Sequence, residues 1–186
     1  TLLRLDDKLG AGRLPGRHEW TVAVAAERYR VRRTIDLIRR LHEGCRVEGA
    51  AFVFPKAFQH LPDMGHDVDL LVAAGGMTDA QLLRGLSVKP MNTSLIHILA
   101  AKTAFVVDTY DANIEIHHGR LGLAGEHATY AESALARRRS TPMDTFAPLG
   151  LCATVLSIAQ VIKQVSLHRS FGLPAVVSTA KHFSDP

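Results

Sequence analysis

Cysteine is scarce in this chain. Cys45 and Cys152 are the only two, far apart and without the close spacing of a zinc site or a disulfide-stapled secreted domain. A reduced, cytoplasmic setting is therefore expected. Long apolar runs are also missing. The longest, Leu149 to Ile162, is interrupted by Ser157 and Gln160 and falls short of the ~20 residues that a bilayer span needs. No membrane partner is expected. No secretory pattern opens the sequence, which starts without Met and stops at Ser184-Asp185-Pro186, as a piece of a longer protein would. Aromatics make up only 6% of residues, and no series of them interleaves with the basic residues, so base stacking is not expected. No His-Glu-x-x-His or Cys/His spacing supports a zinc hydrolase. There is no internal repeat and no low-complexity tract.

What remains is ordinary for one globular domain: 186 residues, 47% hydrophobic and 22% charged, enough for a sizeable core. The net charge of +4 mildly favours polyanionic partners such as nucleotides. Residues 1–19, with Gly10, Gly12, Pro15 and Gly16, read as a loose N-terminal arm. From Trp20 to His42, Val24, Val31, Ile35, Ile38 and Leu41 recur at helical spacing, and Gly44 is placed to stop that helix. Its other faces carry arginines from Arg28 to Arg40, a surface suited to phosphate backbone. Gly49 to Phe54 reads as a first strand. Thr78 opens a short helix that ends at Gly85, and Ser94 to Lys102 fits helix and strand equally. Gly125 to Arg139 reads as a helix with cations at its C-terminal end. Residues 141–186 form a C-terminal helical segment, with helices over Leu149 to His168 and Leu173 to His182, in one compact unit with the 20–140 core.

The chemistry concentrates in Gly65-His66-Asp67-Val68-Asp69-Leu70-Leu71-Val72. The run reads as a short strand, so Asp67 and Asp69 point one way while Val68 and Leu70 point into a core. Two like charges on one edge repel unless a cation sits between them. Hard oxygen ligands at this spacing suit Mg²⁺. Ala104 to Tyr110 and Ile114 to His118 read as a hairpin around Asp111-Ala112-Asn113. Glu115 and His117 share one face of its second strand, with Ile114 and Ile116 on the other. Glu115 is then the candidate third carboxylate, His117 a substrate-facing neighbour and His118 filler.

Phe54-Pro55-Lys56-Ala57, the Asp67-Val68-Asp69-Leu70-Leu71-Val72 strand and Ile114-Glu115-Ile116-His117 together resemble the nucleotidyltransferase superfamily that includes DNA polymerase β. They are closest to the bacterial "nucleotidyltransferase family protein" group. Weaker similarity runs through Gly125-Glu126-His127 and Ala134 to Arg139 to Leu167-His168-Arg169-Ser170-Phe171-Gly172-Leu173. The resemblance implies an α+β fold, a mixed β-sheet backed by helices with a C-terminal helical segment. It also implies nucleotidyl transfer from a nucleoside triphosphate such as ATP to a hydroxyl acceptor, whether small molecule, protein or RNA. Asp67, Asp69 and Glu115 would hold two Mg²⁺ ions. One feature departs from the pattern: the superfamily places Gly-Ser or Gly-Gly before the Asp-x-Asp strand, and here the turn reads Lys56-Ala57-Phe58. Alanine resists positive φ and its methyl keeps phosphates off the backbone. Phosphate contact then passes to Lys56 as a point charge, with Lys163 and Arg169 as further candidates. The alternative is a non-catalytic module of the same fold, which binds or regulates.

Overall fold

The computed structural model describes residues 2–9, 17–55, 62, 64–121, 126–140 and 146–148. Two helices open the chain, α1 (Leu2–Leu9) and α2 (Arg17–Val47). Strands β1 (Phe52–Val53) and β2 (Asp67–Val72) follow, then α3 (Asp79–Leu82), β3 (Lys89–Pro90) and α4 (Leu95–Leu99). β4 (Lys102–Val107) turns through Asp108–Tyr110 into β5 (Ala112–His118). After α5 (Glu126–Ala136), β6 (Arg138–Ser140) and β7 (Phe146–Pro148) pair as a small separate sheet.

The main sheet has five strands in the order β1-β2-β5-β4-β3. It is mixed: β2 and β5 run parallel, and the other pairs are antiparallel. Alternation along β2 and β5 sends Val68, Leu70, Val72, Ile114 and Ile116 to one face, all essentially buried. There they meet Leu37, Ile38, Leu41 and Cys45 of α2. Each such side chain contributes roughly 1.5–3 kcal/mol of burial. On the opposite face, among the described residues, Ala131 and Ala134 of α5 pack on Val53 and Leu71. The expected α+β class and mixed sheet are therefore present, with helices on both faces.

Several local expectations need correction. The N-terminal arm is not loose over Leu2–Leu9, which form a helix. Leu3 is buried, and the buried Asp6 carboxylate accepts from Trp20 Nε1 at 3.0 Å and from Arg28 at 2.8 Å. These long-range bonds stabilise an eight-residue helix that its own sequence would not. Gly44 does not stop α2, which runs on to Val47. The helix ends at Gly49, whose φ is +68°. Gly49 N–H donates to Arg46 O and Ala50 N–H to Cys45 O, the two bonds of a Schellman end. The β4–β5 turn is Asp108–Asp111, with Asp111 left-handed, while Ala112 and Asn113 already belong to β5. α5 ends at Ala136, so Arg138 and Arg139 lie in a strand. Pro148 closes β7. The two C-terminal helices lie outside the described residues.

Two measurements test this packing. Gly119 has φ +66°, and a Cβ there would come within 2.6 Å of Ala74 Cβ, whereas Gly75, at φ +68°, has open space. Gly75→Ala should cost about 1–3 kcal/mol from backbone strain alone, and Gly119→Ala measurably more in denaturant unfolding. Burial pushes the Cys45 thiol up to about 12. In a Cys152→Ser background Cys45 should resist alkylation at pH 8 until the protein unfolds. Its contribution to stability is complete below the unfolded thiol's pKa and is lost as pH rises from there towards 12.

Candidate metal centre

Parallel pairing of β2 with β5 sets Asp67 beside Asn113, Asp69 beside Glu115 and Leu71 beside His117. Register partners share a face, so these polar residues all lie on the side away from α2. β4 adds Lys102 opposite His117 and Ala104 opposite Glu115. The result is a polar strip across three neighbouring strands, bordered by the Leu71 and Val53 patch under α5.

Within this strip Asp69, Glu115 and His117 each present a donor atom, and the three atoms lie within 4.8 Å of one another. His117 Nε2 is 3.1 Å from Asp69 Oδ1, and Lys102 Nζ is 2.5 Å from a Glu115 oxygen. The strip is sheltered: side-chain exposure is 7% for Asp69, 12% for His117, 14% for Lys102 and 25% for Glu115. Charges so placed interact more strongly than they would in bulk water. His117 Nδ1 is buried with no hydrogen-bond partner among the described residues.

Asp69 and Glu115 therefore converge as expected. Asp67 shares their face but is not one of the three converging residues. It is exposed, and its Oδ1 accepts from Asn113 Nδ2 at 3.0 Å. His117 is the third residue of the cluster. Lys102 was missed, although strand alternation places it on the Glu115 face once the hairpin register is known. His118 is not filler. On the opposite face its Nε2 lies 2.9 Å from Asp79 Oδ1, which also accepts from Thr103 Oγ1 at 3.1 Å. That pair of contacts ties α3 to the sheet. Lys56, Ala57, Lys163 and Arg169 lie outside the described residues.

The donor set fits a divalent cation. It offers two carboxylates and the His117 imidazole, whose Nε2 faces Asp69. At formal charge, Asp67, Asp69 and Glu115 outweigh Lys102 by two. No protein-family model, curated protein or solved structure matches the chain. Among the described residues no helix is long and apolar enough to cross a membrane.

The Lys102–Glu115 pair can be tested without any ligand. Lys102→Met should destabilise the protein by about 1–3 kcal/mol by leaving a half-sheltered carboxylate beside Asp69 uncompensated. Adding Glu115→Gln should recover most of that loss. A double-mutant cycle on thermal unfolding measures the coupling, and additive losses would mean that the pair contributes nothing.

Proposed function

We propose that the chain is a divalent-cation-dependent nucleotidyltransferase that moves a nucleotide from a nucleoside triphosphate to a hydroxyl acceptor. The carrying observation is the β2–β5 register, which sets Asp69 against Glu115 on the face away from α2, with Asp67 one step along. This adds to the resemblance carried by the Asp-x-Asp and Glu-x-His strands. In this reading Asp69 and Glu115 hold the cation, while Asp67, exposed at the strip's end, stays bonded to Asn113. When bound, the cation neutralises phosphate charge and acidifies the attacking hydroxyl. His117 holds the Asp69 carboxylate in place through its ring nitrogen. Lys102, released from Glu115, offers its ammonium to the triphosphate oxygens, and Lys56, Lys163 and Arg169 are further candidates for that task. Positioning and charge stabilisation carry most of such a reaction, so no enzyme nucleophile is needed.

A second reading has its own support. Lys102 on Glu115 and His117 on Asp69 already partner both acids, as a non-catalytic module that only binds or regulates would have them.

Pyrophosphate release from each of the four triphosphates with Mg²⁺ or Mn²⁺ and a hydroxyl acceptor panel separates the two readings. Under the first, Asp69→Asn and Glu115→Gln should lower the rate at least about 100-fold with the fold retained by circular dichroism. Triphosphate binding without release, or release that ignores both changes, would overturn it.

A further inference from the structure

We propose that the cation site comprises Asp69, Glu115 and the His117 imidazole, excludes Asp67, and selects a first-row transition cation such as Mn²⁺ over Mg²⁺. The inference rests on reading the strip as a cation site, but not on the transfer reaction.

Three observations converge on it. The donor atoms within 4.8 Å of one another are two carboxylate oxygens and one histidine nitrogen, not three carboxylates. Asp67 is exposed and bonded to Asn113, so it is held by another partner. His117 is sheltered, with one ring nitrogen 3.1 Å from Asp69 and the other buried and unpartnered. A buried ring nitrogen without a partner costs stability. The nitrogen that faces the carboxylates is Nε2, 3.1 Å from Asp69 Oδ1, and it is the one placed to share a cation with Asp69 and Glu115. Lys102 Nζ against Glu115 shows that the same place already accepts positive charge.

Selectivity follows from the donors. Mg²⁺ demands near-ideal octahedral oxygen coordination and dehydrates reluctantly. Imidazole adds little for it, whereas first-row transition cations accept mixed oxygen and nitrogen donors, Mn²⁺ the most weakly of the series. Neither the Asp-x-Asp strand nor the Glu115 strand alone has this property. It arises because the parallel register sets His117 one residue pair beyond Asp69 and Glu115.

The test uses the unmodified protein with Mn²⁺ alone, followed by electron paramagnetic resonance, with Mg²⁺ as competitor. One Mn²⁺ should bind at least about tenfold more tightly than Mg²⁺ and show coupling to a nitrogen nucleus. His117→Ala should abolish the nitrogen coupling and weaken Mn²⁺ by about 10–100-fold, while changing Mg²⁺ affinity little. Asp67→Asn should leave Mn²⁺ binding within about twofold and keep the nitrogen coupling. Absence of nitrogen coupling, equal affinity for the two ions, no Mn²⁺ binding, or an Asp67→Asn loss as large as that of Asp69→Asn would overturn the proposal. Nitrogen-coupled Mn²⁺ without pyrophosphate release would uphold this site and remove the transferase reading. Mg²⁺-driven release without nitrogen coupling would do the reverse.

Discussion

The parallel pairing of β2 with β5 is the constraint on which everything else depends. No turn links the two strands, so their register comes from side chains. Val68, Leu70, Ile114 and Ile116 are essentially buried against α2. A one-residue slip in either strand would turn its apolar set to the face away from α2 and drive carboxylates into the core. Packing on one face of the sheet therefore places the acids on the other. Asp69 meets Glu115, and His117 follows one pair later, because the isoleucines beside them cannot move.

α2 holds the same strands from outside the sheet. Arg30 donates to the carbonyls of Met64 and Gly65, just before β2, while Glu27 grips its guanidinium. That bond holds the Glu27 carboxyl below its usual range. Arg33 donates to Thr109 O in the β4–β5 turn and lies 4.8 Å from the Tyr110 ring centre. Arg28 is bonded to Asp6, Arg39 to Asp36 and Arg46 to Glu43. An arginine-rich helix that composition alone presents as a surface for polyanions is thus largely engaged with the protein. Two of its arginines fix the entrance to β2 and the turn into β5, and so the strands that carry the acids.

Legibility in the sequence divided along the range of the interactions. The Thr78 cap was readable because it is local: its hydroxyl takes the Gln81 N–H and the Gln81 side chain returns to the Thr78 N–H. The pairing of β4 with β5 was readable as two β-rich runs around polar turn residues, and the shared face of Glu115 and His117 as simple alternation. The α1 helix was not, since Asp6 reaches 14 residues to Trp20 and 22 to Arg28. Neither was the grouping of His117, rather than Asp67, with Asp69 and Glu115. Spacing says that Asp67 and Asp69 share a face, but only the neighbouring strand decides that Asn113 meets one and Glu115 the other. Lys102 was hidden for the same reason, sitting next to a segment that fitted helix and strand equally.

The energetics of Asp69 connect the fold to the proposed chemistry. A carboxylate at 7% side-chain exposure is costly to bury unless it is paired or hydrogen-bonded. Beside it Glu115 repels it, and His117 Nε2, 3.1 Å from its Oδ1, is one of its partners. Lys102 compensates Glu115 rather than Asp69 directly. Among the described residues His117 Nδ1 has no hydrogen-bond partner. A site whose sole task was structural would be better packed with apolar side chains, as the α2 face of the same strands is. In the proposed chemistry a cation would offset the repulsion between Asp69 and Glu115 and take the ring nitrogen that faces Asp69, and Lys102 would then turn towards the anion that the cation brings.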